Sequence, residues 1–533
     1  MAGNGSAVIL LAFALIAATI FLLGRFLSTG QDGREPPLIP PKIPVVGHLI
    51  GLMRSQMFYY VKLRNKNPLP IYTLSMGGAK VYIVSSPEII AAIQRHPKTL
   101  SFATVAASFS ARICSTSQAG QDILNRNVNG EEGEWGLSPE IYKNIHAALA
   151  PGPGINGMTR VMIQYVAESL GKLEGKTTRI NLMQWLRHEI TMATTNAVYG
   201  PKNPFVDPEI ENGFWDFESS MGMLLVNVMP RLTARKGFAG RAKVMNAFRD
   251  YFAEKGHEGG SQLIKNRYMT NSTNGLSLED TAGFEVGGAI AILVNTTPAA
   301  FWMIFFAFSQ PELLADLRRE AAEVVVTNVD ENGAPRRSID VEKIRSNCPL
   351  MVSMFQENLR VRATGASVRT VTEDTVINNQ YLLKKGGLIQ MPSQLPHSDP
   401  SLWGPSVTDF DPRRFLKGAD AKPTTTTDKK RHPQSFRAFG GGSSLCPGRQ
   451  FATTEILAIL TMFILRYEME PVSGSWTTPQ HDKSNVTAAV MSPNDDVAVD
   501  VSPRKGYEGG SWTFGLGDSG MTFSIATEDQ REG

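Results

Sequence analysis

The sequence predicts a mainly α-helical fold with small β-sheets (α+β), preceded by a single N-terminal transmembrane helix. Residues 7–23 form an uncharged apolar run, and about 17 to 19 helical residues cover the hydrocarbon thickness of a bilayer. Two β-prone runs, 72–76 and 80–84, flank the pair Gly77-Gly78 in the manner of a hairpin. Amphipathic patterns of helical period recur at about 156–172, 182–199, 208–226, 240–267 and 311–325.

The apolar run 7–23 has two possible roles, a membrane anchor and a cleaved secretory signal. No charged residue precedes it, and Ser28-Thr29-Gly30 matches a signal cleavage site poorly, so we expect an anchor. Arg25 and Arg34 follow the run, so the positive-inside rule predicts that the bulk of the chain faces the cytoplasm. We therefore expect a lumenal segment 1–6, an anchor 7–24 and a stiff, proline-rich hinge 25–45.

Composition excludes several other classes of protein. The 533 residues are 42% hydrophobic and 19% charged, as in globular proteins, and the net charge is only +3. A basic excess of three charges is too small to indicate nucleic-acid binding, so we expect no nucleic-acid partner. The three cysteines, Cys114, Cys348 and Cys446, lie far apart in the sequence, with no CxxC spacing and no even set that could form a disulfide framework. This spacing predicts free thiols in a reducing compartment.

A second apolar stretch, 286–308, carries no charged side chain and has two interpretations. Its length suits a second membrane span, and periodicity alone does not decide between a span and a buried helix. The polar cluster Asn295-Thr296-Thr297-Pro298 stands halfway along it, which is costly in lipid but suits a core helix beside a polar site. A second span would also put Cys446 across the membrane from the preceding half, so we expect a core helix.

The segment around Cys446 is the most specific motif of the chain. It reads Phe439-x-x-Gly442-x-x-x-Cys446-x-Gly448-x-x-x-Ala452. Glycines let a backbone approach a flat macrocycle closely, and an apolar helical pattern begins just after the cysteine, so its positive end can face the sulfur. The alternative is a buried structural cysteine, the usual fate of a lone cysteine. The crowding of glycines around Cys446 favours a metal-ligating thiolate.

This segment resembles the signature of the cytochrome P450 superfamily. Two further family elements occur in the expected order: Glu357-Asn-Leu-Arg360, which resembles Glu-x-x-Arg, and the Pro-x-Arg-Phe turn that ends in Arg414 and Phe415. The resemblance implies the P450 fold, haem b (iron protoporphyrin IX) and Cys446 as iron ligand. It also implies a buried cluster of Glu357, Arg360 and Arg414.

The resemblance assigns further residues to the haem and to oxygen chemistry. Arg369 matches the arginine that family members present to a haem propionate, whereas Ser444 replaces the basic residue common two positions before the cysteine. Asn295 and Thr296 match the acid-or-amide and threonine pair of the central helix, and Thr296 is expected to help deliver protons. Asn295 cannot titrate, so it positions water at most.

The segment 295–302 is similar to the branch that contains cholesterol 7α-hydroxylase, sterol 12α-hydroxylase and prostacyclin synthase, and we expect a fungal-type member. Two activities follow. One is a monooxygenase that takes electrons from an NADPH-dependent flavoprotein reductase to oxidise a large apolar substrate; the other is an isomerase or lyase that rearranges a peroxide. Retention of Thr296 favours the first, because a rearrangement needs no proton relay.

The resemblance also predicts the surroundings of the site. Pocket walls are expected from 102–113, Leu293 and Val294, 364–368 and 488–492. The basic run 429–431 with Arg449 is either a docking surface for the reductase or a solvated loop. The catalytic domain is expected over 46–505, on the cytoplasmic face of the endoplasmic reticulum membrane, and the tail 506–533 receives no interpretation.

Overall fold

The computed structural model describes residues 30–43, 46–130, 135–416, 432–482 and 488–515. The predicted anchor and the basic run 429–431 lie outside the described residues. The helices are α1 (Gly47–Ser55), α2 (Phe58–Lys66), α3 (Pro87–Gln94), α4 (Ala103–Ile113), α5 (Gln118–Asn125), α6 (Leu137–Leu149), α7 (Pro153–Gly171), α8 (Leu182–Tyr199), α9 (Pro208–Ser219), α10 (Met221–Val226), α11 (Pro230–Thr233), α12 (Arg235–Ala253), α13 (Gln262–Thr273), α14 (Leu278–Leu293), α15 (Thr296–Phe308), α16 (Pro311–Ala322), α17 (Val341–Asn347), α18 (Pro349–Arg362), α19 (Gln394–His397), α20 (Pro400–Trp403) and α21 (Arg449–Arg466).

The strands build small sheets around this helical body. They are β1 (Ile71–Met76), β2 (Ala79–Val84), β3 (Leu100–Ser101), β4 (Thr178–Asn181), β5 (Val325–Val329), β6 (Pro335–Asp340), β7 (Ala366–Val371), β8 (Thr375–Ile377), β9 (Tyr381–Leu383), β10 (Leu388–Pro392), β11 (Tyr467–Pro471), β12 (Ala498–Pro503) and β13 (Ser511–Gly515). The sheet orders are β1-β2-β10-β7-β3, β11-β12-β4, β13-β6-β5 and β8-β9. The predicted α+β class is confirmed.

The predicted hairpin is present as β1 and β2. The strands pair antiparallel, with Ile71 opposite Val84. Gly77 and Gly78 have φ of +59° and +86°, left-handed values that glycine adopts without a steric penalty. On the far side of β2, β10 runs parallel to it and antiparallel to β7. This sheet therefore joins the start of the domain to residues beyond 366.

Two of the five predicted helical windows contain a break. The window 208–226 holds both α9 and α10, and the window 240–267 holds the end of α12 and the start of α13. Between α12 and α13, Lys255 has φ of +56° and the sequence Gly256-His-Glu-Gly-Gly260 follows. Glycine is unfavourable in a helix interior, so these residues end α12. The other three windows match α7, α8 and α16.

The central stretch is a core helix, as expected. Leu278–Phe308 is the one helix among the described residues that is long and apolar enough to cross a membrane, and 78% of its most apolar window is buried in the protein. It divides into α14 and α15 at Val294 and Asn295. Pro298 has no N–H to donate to the Val294 carbonyl, so one bond of the helical ladder is missing beside the break.

The proline-rich segment predicted as a hinge over 25–45 is instead packed against the domain where it is described. The N–H of Thr73 on β1 donates to the Pro37 carbonyl at 2.8 Å. Glu35 is buried, and Lys80 donates to its carboxylate at 2.6 Å. Movement of the segment away from the domain would leave one member of this buried ion pair without its partner, which is costly. The segment is therefore part of the folded domain.

The predicted domain boundary at 505 also changes. Residues 511–515 form β13, which pairs in parallel with β6. Trp512 is buried, and the Arg337 guanidinium lies 5.3 Å from its ring centroid. A strand that pairs within the fold and buries an aromatic side chain is part of that fold, so the folded domain extends to at least residue 515.

Candidate active site

The loop before α21 directs the side chain of Cys446 into the interior. The N–H of Cys446 donates to the Phe439 carbonyl at 2.9 Å and closes the loop. Gly442 has φ of +56°, and Gly440 has φ of +81° with its missing Cβ position only 2.5 Å from the Ser444 carbonyl oxygen. A side chain at either position would be strained. The loop therefore requires these glycines to hold its shape.

The electrostatic surroundings of the Cys446 sulfur combine opposing effects. Burial raises the pKa of the thiol, while the backbone N–H groups of Gly448 and Arg449, at the start of α21, hydrogen-bond to the sulfur and lower it. The Arg449 guanidinium adds a positive charge and donates to the Cys446 carbonyl at 3.1 Å. The helix N-terminus thus faces the sulfur as predicted, and the net effect of these groups is a thiol pKa above its ordinary value.

Arg369 on β7 is almost completely buried beside the same loop. It is 1% exposed, and its Nη1 donates to the Ser443 hydroxyl at 3.0 Å. Within the described parts of the chain, its Nε and Nη2 have no hydrogen-bond partner. Unpaired buried donors cost about 1–3 kcal/mol or more when charged. A guanidinium in this state is suited to an anionic group that binds at the site.

The residues Glu357, Arg360 and Arg414 form one buried cluster. Arg360 donates to the Glu357 carboxylate from Nε at 2.7 Å and from Nη2 at 2.8 Å, and Arg414 Nε donates at 3.0 Å. All three residues are at most 4% exposed. The two guanidinium groups also donate to backbone carbonyls at 397–409. The cluster therefore fastens α18 to the segment that leads towards the Cys446 loop.

Asn295 and Thr296 lie at the break between α14 and α15, but they make different contacts. The Asn295 Oδ1 accepts from the backbone N–H groups of Ala489 and Val490 at 2.8 and 3.2 Å. The Thr296 hydroxyl lies 3.5 Å from the Ile292 carbonyl oxygen, at the outer limit of a hydrogen bond. Asn295 thus fixes the chain at 489–490, whereas the Thr296 hydroxyl is weakly held.

Two neighbouring cavities, of about 580 and 280 Å³, meet at the Cys446 loop. Phe102, Ala291, Ser444 and Cys446 line both of them. The smaller cavity also contacts Thr296. Of the expected walls, residues within 102–113, 365–367 and 489–490 are present. Leu293 and Val294 are not among the lining residues, because α14 turns a different face to the cavities, with Ala291 and Ile292.

Arg437 is a buried residue of the site that sequence reasoning missed. It is 4% exposed, lines the smaller cavity and donates from Nη2 to the Ser367 hydroxyl at 3.2 Å. The Ser444 hydroxyl lies 3.4 Å from the same Ser367 oxygen. Arg437 therefore places a basic group near the position where Ser444 lacks one. The available signal was an arginine two positions before Phe439 in an otherwise uncharged segment.

Comparison with known proteins gives consistent results. The family model described as Cytochrome P450 matches residues 36–498. Cytochrome P450 monooxygenase nodJ of Hypoxylon pulicicidum is 35% identical over 96% of this chain and 98% of its own length. Cytochrome P450 7B1 of Mus musculus is 25% identical over 86% and 89%.

Solved structures agree on the fold. The structure titled retinoic acid bound cyanobacterial CYP120A1 has a TM-score of 0.66 and 17% identity, and the match covers 88% of this chain and 99% of that one. The family match covers most of the catalytic domain, including Glu357, Arg369 and Cys446. The chain therefore belongs to the cytochrome P450 family of monooxygenases.

Proposed function

We propose that this protein is a haem-thiolate monooxygenase that inserts one oxygen atom from O2 into a large apolar substrate of sterol-, terpenoid- or other secondary-metabolite type. Electrons come from NADPH through a flavoprotein reductase. The observation that carries the proposal is the meeting of two cavities at Cys446, with Thr296 on the wall of the smaller one. The larger cavity is lined mainly by apolar side chains such as Phe102, Phe109 and Phe284, which suits an apolar ligand.

The family implies a haem cofactor, and the residues of this site fit one. Cys446 would supply the sulfur that ligates iron at the cavity wall, and Phe439 and Gly448 line the smaller cavity beside it. Gly442 lines neither cavity, and a Cβ there would lie 3.1 Å from the side chain of Gln94. The unpaired N–H groups of Arg369 suit a propionate of haem b. Arg437 is the second candidate for a propionate. When bound, a thiolate-ligated haem supplies the activation of oxygen.

Thr296 has the role of directing protons to the oxygen-binding side of the cavity. Its hydroxyl is weakly held by the Ile292 carbonyl and can donate to cavity water. Asn295, in contrast, is a positioning residue, because its Oδ1 accepts two backbone N–H groups from 489–490. Asn295 therefore occupies the position where family members have a carboxylic acid or an amide. Unlike a carboxylic acid, it cannot take up or release a proton.

Because Asn295 holds the chain at 489–490 and cannot supply a proton, the site also supports an alternative function. This is an isomerase or lyase that rearranges a peroxide without O2 or reductase. The two are separated with Thr296→Ala and the neighbouring control Thr297→Ala, since Thr297 is buried and outside both cavities. For a monooxygenase, Thr296→Ala lowers product formed per NADPH at least about tenfold, and Thr297→Ala does not. Peroxide turnover by wild type without NADPH or O2, unchanged in Thr296→Ala, would contradict the monooxygenase proposal.

Membrane attachment through the N-terminal helix at the endoplasmic reticulum remains part of the proposal. Exposed apolar side chains near α10 and α11 support it, since Val226, Val228, Met229 and Leu232 are each 54–76% exposed. Such a patch marks a surface that contacts lipid or another protein. The test is cell fractionation of the full chain and of a chain lacking residues 1–29. Equal recovery of both in the soluble fraction would refute the anchor.

A further inference from the structure

Arg267 and Glu285 form a buried ion pair in the wall of the larger cavity. Arg267 on α13 donates to the Glu285 carboxylate on α14 at 2.9 Å, and their side chains are 11% and 3% exposed. The Tyr199 hydroxyl donates to the same carboxylate oxygen at 2.9 Å. Both members of the pair line the cavity that Cys446 also lines. A mainly apolar cavity thus has a buried ion pair in its wall.

The backbone leaves space for this pair. A Cβ at Gly288 would lie 2.6 Å from Arg267 Nη1 and 2.7 Å from Glu285 Oε1. Glycine within a helix costs about 1 kcal/mol relative to alanine, and Gly288 lies inside α14. Any side chain at 288 would displace the ion pair. The ion pair at the surface of α14 therefore requires glycine at this position.

The polar wall has hydrogen-bonding capacity that the protein leaves unused. In the described part of the chain, Glu285 is the sole hydrogen-bond partner of the Arg267 guanidinium, which carries five N–H donors. Asn271 is 5% exposed and lines the same cavity, and its side-chain amide has no partner among the described residues. Buried polar groups in proteins are normally paired. These groups are therefore available to a ligand.

The charge of the wall selects the type of ligand. Glu285 already compensates the charge of Arg267, so a ligand carboxylate would add an uncompensated negative charge beside a buried carboxylate, which is costly. A neutral oxygen that accepts from Arg267 and Asn271 adds no charge. Along α14, Glu285 and Ala291 are six residues apart, which is about 9 Å. Ala291 lines both cavities.

We propose that Arg267, Asn271 and Glu285 form a polar anchor that binds a neutral hydroxyl or carbonyl oxygen of the substrate. The apolar remainder of the substrate then extends towards Cys446. This inference rests on the proposed function, which supplies the type of ligand, an apolar skeleton. It adds that the skeleton carries one hydroxyl or carbonyl oxygen, about 9 Å from the part of the cavity that borders Ala291.

Equilibrium dialysis of the purified full chain tests the anchor with three probes of one length: dodecane, dodecan-1-ol and dodecanoate. Wild type is expected to bind the alcohol at least about tenfold more tightly than the alkane, the effect of one hydrogen bond to a charged group. It is also expected to bind the alcohol more tightly than the carboxylate. Arg267→Met removes most of the preference for the alcohol and leaves alkane binding within about twofold.

Two further variants guard against loss of folding. Asn271→Leu leaves the ion pair intact and is expected to lower the preference several-fold. Arg241→Met is the control, because Arg241 is buried, donates to the Arg112 carbonyl and lines neither cavity. It is expected to keep the wild-type preference.

The results separate the anchor from the proposed function. Wild type that does not prefer the alcohol, or preference kept in both Arg267→Met and Asn271→Leu, overturns the anchor. The reduced, carbon-monoxide-bound absorption spectrum tests thiolate ligation independently. If that spectrum fails while the alcohol preference follows Arg267, the haem-thiolate proposal falls and the anchor stands.

Discussion

Glu357→Gln is the substitution for which the structure gives the largest and most specific effect on stability. The Glu357 carboxylate is fully buried and accepts four hydrogen bonds, two from Arg360, one from Arg414 and one from the Asp411 N–H at 3.0 Å. Glutamine has nearly the same shape. It removes the negative charge to which both buried guanidinium groups donate.

The expected cost follows from that burial. Removal of one partner of a buried ion pair costs about 3–5 kcal/mol, because the remaining charge stays desolvated. Both arginines keep their charge-assisted hydrogen bonds to backbone carbonyls between 397 and 409, so the substitution removes the counter-charge and leaves these bonds in place. We therefore expect the free energy of unfolding to fall by about 3–5 kcal/mol, a large part of the 5–15 kcal/mol typical of a domain.

Urea unfolding of the purified full chain, followed by tryptophan fluorescence and haem absorbance, measures this loss. The control is Glu254→Gln, since Glu254 and Lys202 form an ion pair at 3.2 Å with side chains 67% and 54% exposed. Exposed pairs contribute about 0–1 kcal/mol. If Glu357→Gln costs no more than Glu254→Gln, the buried cluster does not stabilise the link between α18 and the segment 397–414.

Three further outcomes are expected. Asn295→Ala lowers the free energy of unfolding by about 1–3 kcal/mol, because two backbone N–H groups lose their acceptor; Asn295→Asp keeps that acceptor, and equal losses in the two variants would refute the role. Burial raises the pKa of Glu455 to about 8, so the folded state favours the protonated acid, and the contribution of Glu455 to stability falls as pH rises from about 4.5 to about 8. Unfolding of wild type and Glu455→Gln at both pH values isolates this contribution, and the stability of wild type relative to Glu455→Gln should fall between the two. An unchanged difference would refute it. Arg369→Leu speeds loss of haem to a scavenger protein by about tenfold. It does not lower the melting temperature of the haem-free chain, because among the described residues the Arg369 Nε and Nη2 have no hydrogen-bond partner. Unchanged haem loss would contradict the propionate role.

Local patterns predicted the parts of the fold that depend on local physics. The β1–β2 hairpin follows from two β-prone runs around Gly77-Gly78, whose positive φ the structure contains. The spacing of Glu357 and Arg360 puts them on one helix face, and they bond there. Haem ligation by Cys446 and the roles of the other site residues stay predictions for the experiments above.

Features that depend on contacts between distant segments were not accessible from one sequence. Arg267 and Glu285 stand on different helices, and nothing in either helix alone indicates that they meet at a cavity. The Lys80–Glu35 pair turned an expected hinge into part of the domain, and the pairing of β13 with β6 did the same for the tail. The glycines at 256–260 could have predicted the break between α12 and α13. The helical pattern continues on both sides of them, so the prediction placed all of 240–267 in one helix.

The position of β10 between β2 and β7 has a consequence for the synthesis of the chain. Leu388 pairs with Val81, and at about 5–20 residues per second a ribosome needs roughly 15–60 s to make the intervening chain. Throughout that time one edge of β2 has no strand beside it, and an unpaired edge is a site for aggregation. The nascent protein therefore passes through a long interval in which chaperone binding, rather than native pairing, must protect its first hairpin.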